Sequence, residues 1–470
     1  VELTPVEPRR MLLWPDFVEE LAERAPEPAA LYMVGGMVRD ALLGRPIHDV
    51  DLATPGDGLK EARRLADAFG AAYYPVDPER RTGRVILPEA DGGTVIDVAS
   101  FRGDTLLADL EGRDFTINAM AVRLDDPQAL YDPLGGQEDL FDHKVIRQCR
   151  PDSIASDPIR ALRAVRQSLQ FKLRLEPGTR AAVRSAVWAL TTHTGELAQP
   201  ERARDEFFRM LASPQSAAAL RVLHQIGLLA PLVPFPMPDD ADLEAQFELV
   251  VQLTRLYSII SPARTDNTAA QLMLGVAVMI LDRYRRQLQE HLQHEYVEGR
   301  PVSALALLGV LSPAGAKEPG AAWANRLKLA NAEARYIERF VAAGRIVPAV
   351  PPVDSRLAHR YYREVGEPGV TGVLLMLAEY LRAGIRPEDW GLVLEHVAAP
   401  LLEAFFWRHQ EVVSPPPLVD GNDLIRLLGI QPGPHLGQIL RTLLEEQAAG
   451  TIRTREEALR LAERLNKGEG

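Results

Sequence analysis

At 470 residues the chain is too long for one hydrophobic core and should fold as about two to four domains. Its 46% hydrophobic and 25% charged residues are ordinary for a water-soluble protein, no apolar run is long enough to span a bilayer, and no signal peptide opens the sequence. One cysteine, Cys149, excludes an internal disulfide or a cysteine-based zinc centre and points to the cytoplasm. The net charge of −12 excludes an indiscriminate nucleic-acid binder, so an RNA-handling role needs a local basic face.

Residues 1–30 read as an arm and an amphipathic helix, with Phe17, Leu21 and Ala22 on one face and Pro26 and Pro28 ending it. Leu31 to Thr54, LYMVGGMVRDALLGRPIHDVDLAT, reads as strand, glycine turn, short helix, loop and strand. Gly35-Gly36 allow the backbone to bend and approach a ligand, and Gly44 is placed to end the helix. In the second strand, period two puts Asp49 and Asp51 on one face, where like charges repel unless a cation lies between them. Mg²⁺ favours such carboxylate oxygens. A helix is expected over Gly58–Phe69, then strands over Ala71–Val76, Arg84–Leu87 and Thr94–Ala99, the last two around the turn Ala90–Gly93. Asp97 alternates with apolar neighbours and is a candidate third carboxylate for the metal face.

The stretch GGMVRDALLGRPIHDVDLAT resembles the signature of the class II tRNA nucleotidyltransferases, the CCA-adding enzymes and their bacterial poly(A) polymerase relatives. The resemblance implies that Gly35, Gly36 and Arg39 approach the incoming nucleotide and that Asp49 and Asp51 are catalytic, holding metal. GRDFTINAMAV, residues 112–122, resembles the second signature, with Arg113, Asp114 and Asn118 matching and Gly112 in place of an arginine. An arginine there can meet triphosphate oxygens through its planar fork. Tyr131–Gly136 matches the closing turn and is read as structural. Residues 155–166, ASDPIRALRAVR, resemble the motif that reads the incoming base. Pro158 suits a first helical turn and Asp157 its N-cap, with arginines at i+3, i+6 and i+9. By resemblance Asp157 and Arg160 present an acceptor and donors to cytosine without a nucleic-acid template, and Arg163 and Arg166 reach the triphosphate. The chain departs from the family at Ser156, usually Glu, and at Gln167, usually Phe.

Between Arg102 and Arg113 the chain has only GDTLLADLEG, where family members that build the whole CCA end carry a much longer loop associated with the switch from C to A addition. Within the family that deletion marks enzymes adding only two cytidines, and Leu106, Leu107 and Leu110 read as a packed connection. Glu201–Leu211 matches a segment that braces the neck, with Arg202 and Arg204 as candidate RNA contacts. Some bacterial members carry a metal-dependent HD phosphohydrolase module farther on, but Leu281 precedes Asp282 where His is needed. His291 and His294 read as surface decoration, so no HD-domain metal is expected. After a proline-rich hinge, 347–352, residues 416–465 resemble the C-terminal segment of many bacterial members, with Arg441, Arg453 and Arg455 as candidate contacts to tRNA.

The implied fold is α+β, a polymerase-β-like head with a small mixed sheet (1–143) followed by helical neck (144–215), body (216–346) and tail (347–470). The implied activity is Mg²⁺-dependent addition of cytidines from CTP to the tRNA 3′ end, releasing pyrophosphate, with no membrane involved. Complete CCA addition or poly(A) addition with ATP is the alternative within the enzyme class. An inactive tRNA- or nucleotide-binding relative is the alternative outside it, and retention of Asp49, Asp51, Arg113 and Arg160 together speaks against that.

Overall fold

The computed structural model describes residues 3–47, 49–87, 93–264, 271–347 and 352–467. The expected turn at 90–92 and residues 348–351 of the expected hinge lie outside them. The chain divides into two compact units, Val1–Gln199 with Gln225–Leu228, and Pro200–His224 with Leu229–Gly470. The first takes in the expected head and most of the expected neck.

The strands of the first unit are β1 (Tyr32–Val34), β2 (Asp49–Thr54), β3 (Ala72–Asp77), β4 (Thr82–Ile86), β5 (Val95–Ser100), β6 (Ala121–Arg123) and β7 (Leu130–Tyr131). They form one sheet of order β3-β4-β5-β2-β1-β6-β7, in which β2 and β5 run parallel and the other neighbours antiparallel. Around it lie α1 (Phe17–Arg24), α2 (Gly36–Leu43), α3 (Gly58–Phe69), α4 (Leu106–Glu111), α5 (Gly136–Glu138), α6 (Ser153–Ser156), α7 (Ile159–Phe171) and α8 (Pro177–Ser185).

Local chemistry sets these limits. The Asp57 carboxylate accepts from the amides of Leu59 and Lys60 to start α3, and Gly70 ends it in the left-handed region. Ala62, Leu65, Ala66 and Phe69 recur at helical spacing and are buried against Val85 and Val98 of the sheet. Each large apolar side chain so buried contributes about 1.5–3 kcal/mol. On α1 the buried face is Val18 and Leu21, with Phe17 and Ala22 only half-buried, a shift of one position from the expected stripe. The closing turn is structural, as read: Asp132 accepts from the Gly136 and Gln137 amides at 2.6 and 2.9 Å. A Cβ on Gly136 would sit 2.3 Å from the Thr116 carbonyl oxygen. After residue 144 the unit is helical except for β8 (Val145–Ile146) paired in parallel with β9 (Arg174–Leu175). Two-residue strands carry no periodic signal, so the expectation of an all-helical neck could not register them.

The second unit is built from helices, with Trp323, Tyr336, Phe340 and Trp390 among its fully buried side chains. His291 belongs to this core and not to the surface, correcting the expectation. Its Nε2 lies 2.7 Å from the Thr371 hydroxyl, which also accepts from Tyr336, while His294 is exposed. Asp282 is held by both Nη atoms of Arg264 at 2.7 and 3.0 Å. Residues 419–462 contribute a separate small core around Leu424, Ile439, Leu443 and Ala458.

Candidate active site

The glycine turn between β1 and α2 sets the geometry. Gly35 has φ +79°, in the region that favours glycine, and a Cβ there would lie 3.0 Å from Arg113 Nη1 and 3.6 Å from Asp51 Oδ2. The turn, a guanidinium and a carboxylate therefore converge at one spot. On β2, Val50 and Leu52 point into the core while Asp49 and Asp51 face out on the opposite side, as period two requires. Although its side chain still reaches solvent, the surrounding protein raises the Asp51 carboxyl above its usual range. Arg113 opposes this, and the charges of Asp97 and Asp49 add to it.

Asp97 stands beside Asp51 in the parallel register. Both its oxygens are taken by Arg84, at 2.8 Å each. Among the described residues no three His, Cys, Asp or Glu side chains are grouped closely enough to hold a metal ion. The donor set is thus two outward carboxylates in mutual repulsion, a hard-oxygen pair that fits a divalent cation. Asp97 could join them through the lone pairs that Arg84 leaves free or by letting go of Arg84.

Behind this face lies a buried polar network. Asp114 accepts from the Asn118 amide at 2.9 Å, from the Phe115 amide at 2.8 Å and from Arg163 at 3.1 Å. Burial works against its charge, but Arg163, Asn118 and the Phe115 amide together hold its carboxyl below the usual range. Asn118 also donates to Gln167 at 3.0 Å, and its oxygen accepts from Arg39. Arg39 is itself buried, bonded to Asp40 at 2.9 and 3.1 Å, with its guanidinium 4.2 Å from the centre of the Phe171 ring. In this arrangement Arg39, Asp114 and Asn118 tie α2 and α7 to the second motif.

The structure brings Asp157 and Arg160 together at 3.8 Å. Asp157 has an extended backbone and its carbonyl accepts from the Arg160 amide at 3.0 Å, while Pro158 is already helical, so Asp157 stands at the N-cap and Pro158 in the first turn, as expected, with α7 running on from Ile159. Arg160 donates to the carbonyls of Gly112 at 3.0 Å, Arg113 at 3.1 Å and Ser153 at 3.2 Å. Arg166 is more exposed, donating to Gln170 at 3.1 Å. Of the candidate RNA contacts, Arg204 is bonded to Asp205 and to the Lys328 carbonyl, whereas Arg202, Arg441 and Arg453 are exposed.

Three residues were not singled out as site residues from the sequence. Asp109, 2% exposed, accepts from the Arg102 amide at 3.1 Å and from Arg113 at 2.8 and 3.1 Å. Its position four residues before Arg113 was the available signal. Gln167 had none, since its partner Asn118 lies 49 residues away, while Arg84 faces Asp97 across the β4–β5 hairpin, whose register was the missing detail.

Comparison with known proteins bears on the family and the fold. Residues 31–147 match the Poly A polymerase head domain, 172–238 the "Probable RNA and SrmB-binding site of polymerase A", and 402–462 tRNA nucleotidyltransferase domain 2. The CC-adding tRNA nucleotidyltransferase of Geobacter sulfurreducens is 32% identical over 434 residues, 91% of this chain and 90% of that one. The A-adding tRNA nucleotidyltransferase of Deinococcus radiodurans is 32% identical over 450 residues, 93% and 96% of the two chains. A CCA-adding enzyme solved in complex with ATP superposes with a TM-score of 0.68 over the full length of both chains at 22% identity, which speaks for the fold. The two relatives at 32% identity, aligned over nine-tenths or more of their own length, place the chain: it belongs to the CCA-adding family of tRNA nucleotidyltransferases and is an enzyme of that family.

Proposed function

We propose that this enzyme adds two cytidines from CTP to the 3′ end of tRNA, without a nucleic-acid template, and then stops. The observation that carries the reading is the state of residues 101–113. They form the short helix α4, capped by the Thr105 hydroxyl, with Leu110 fully buried. Asp109 draws in Arg102 and Arg113, and Arg160 grips the carbonyls of Gly112 and Arg113. A segment fastened at its middle and its far end is poorly suited to reshape a pocket between cytosine and adenine.

In this reading Asp49 and Asp51 hold Mg²⁺, whose chemistry is to lower the pKa of the attacking tRNA hydroxyl and shield charge developing on the α-phosphate. Gly35 leaves room for the triphosphate beside Arg113, and Arg163 and Arg166 extend the positive wall. Asp157 accepts from the cytosine amino group. Arg160 donates to the base once a nucleotide competes with the carbonyls it now holds, so its bonds set the shape that admits C. Positioning and preorganised charge account for most of the catalysis. Asp97, engaged by Arg84, stands next to the metal pair as a reserve ligand. The body serves as scaffold without an HD-type metal, a reading supported by Asp282 being held by Arg264 and His291 by Thr371.

A second reading, terminal A addition with ATP, is favoured by the Deinococcus radiodurans relative named A-adding. The test uses purified enzyme, CTP and ATP together, and two tRNAs, one lacking CCA and one ending in CC. Sequencing-gel analysis should show the first extended by two cytidines and the second left unchanged. A terminal A on either product would replace the CC-adding assignment.

A further inference from the structure

Among the described residues of the first unit, Trp188 is the most exposed large aromatic side chain, ahead of Tyr74 at 54%. Trp188 is 85% exposed, whereas Trp323 and Trp390 are fully buried. It lies in the single turn Ala186–Leu190 that continues α8. Along this run Val183, Ala186 and Leu190 face the core. Arg180 and Arg184, four apart on α8, and Trp188 on the turn that follows are all exposed. Neither arginine has an ion pair or side-chain hydrogen bond among the described residues. From 172 to 194 the sequence holds Lys172, Arg174, Arg180 and Arg184 against the one carboxylate of Glu176, in a chain whose net charge is −12.

We infer that Trp188, flanked by Arg184 and Arg180, is a stacking platform for an unpaired nucleotide in the single-stranded 3′ end of the tRNA. The chemistry is complementary on both counts: an indole face accepts any base, and uncommitted guanidiniums accept the phosphates beside it. The location fits a primer terminus. The turn bearing Trp188 packs on α6, the short helix whose Ser153 carbonyl accepts from Arg160 of the base-reading pair. That turn and the base-reading pair are thus neighbours of the same short helix. A nucleotide held there would fix the strand while the terminal hydroxyl reacts. This inference rests on tRNA being the primer and adds the residue that grips its unpaired end.

The test compares full-length wild type with Trp188→Ala, Trp188→Phe and Arg184→Ala. Because these side chains are exposed, melting temperatures should stay within about 2 °C of wild type. With tRNA lacking CCA, Trp188→Ala should raise KM for tRNA about tenfold, leaving kcat and KM for CTP within about twofold. Trp188→Phe should recover most of that loss, and Arg184→Ala should show a smaller rise that shrinks with salt. Independently of turnover, a short single-stranded oligoribonucleotide should quench the fluorescence of wild type more than that of Trp188→Phe. Quenching can therefore persist even if the nucleotide-addition reading fails. An unchanged KM for tRNA together with equal quenching would overturn the platform. So would a shift in oligomeric state of Trp188→Ala by sedimentation, which would make the patch a contact between copies of this chain.

Discussion

Asp49 and Asp51 on one side of the first unit, and Asp114 behind them, are carboxylates in opposite circumstances. Asp114 is buried and satisfied by Arg163, Asn118 and a backbone amide, which hold its charge in place. Asp49 and Asp51 face outward, neither bonded to an arginine among the described residues, and Asp51 is pushed toward its protonated form. Protein groups complete the first site, whereas the second is left with uncompensated charge. An acid that the fold goes on to neutralise is scaffold; one that it leaves in repulsion awaits a cation.

The sharpest way to break this contrast is to remove the outward pair. Asp49→Ala or Asp51→Ala should lower nucleotide addition by at least about a thousandfold, because the lost groups act on developing charge. The core does not involve these side chains, so melting should not fall by more than about 2 °C below wild type. Single-turnover assays beside calorimetry would check both halves. Turnover within tenfold of wild type for both variants would remove the carboxylates from the mechanism.

The complementary change should do the reverse. Asp114→Ala leaves Arg163 and Asn118 facing a buried site without their acceptor. Breaking such a network costs about 3 kcal/mol, the low end for a buried pair because Arg163 is partly exposed. Urea unfolding measures it directly. An unchanged unfolding free energy would show that the network is incidental and that Asp114 belongs with the ligand-facing acids.

Much of this contrast was legible beforehand, and the part that was not has a physical reason. Alternation along β2 sufficed to put Asp49 and Asp51 outward, and α3 and Gly44 followed from caps and helical spacing. The motif resemblance named Arg113, Asp114, Asn118, Asp157 and Arg160 but could not tell which would face ligand and which would be enclosed. That depends on partners far away in sequence: Gln167 for Asn118 and the Gly112 carbonyl for Arg160. The buried His291 was missed for the same cause, since its partner Thr371 lies 80 residues on. Spacing reports which face a side chain takes, not what waits on that face.

The smallest expected effect separates the two kinds of acid by sign. Burial, with Asp97 and Asp49 nearby, raises the Asp51 carboxyl in the folded state, so above that value its ionised form costs stability, and the cost fades as pH falls through it. Asp114 is lowered when folded, so its contribution is present above the unfolded value and is lost only as pH falls through the folded one. At pH 7, therefore, Asp51→Asn should melt higher than wild type and Asp114→Asn lower, and the two should converge in acid. Because Asp51 remains open to solvent, the gain is of the order of an exposed charge interaction, about 0.2–1 kcal/mol, or roughly 1–3 °C. Adding Mg²⁺ should give wild type a rise that grows with concentration by mass action and that Asp51→Asn largely lacks. Calorimetry from pH 8 down to below the ordinary carboxylate range, with and without Mg²⁺, reads all of these. If Asp51→Asn melts lower than wild type at pH 7, that carboxylate is already satisfied by the protein, and its repulsion with Asp49 and Asp97 cannot be what draws a cation to the face.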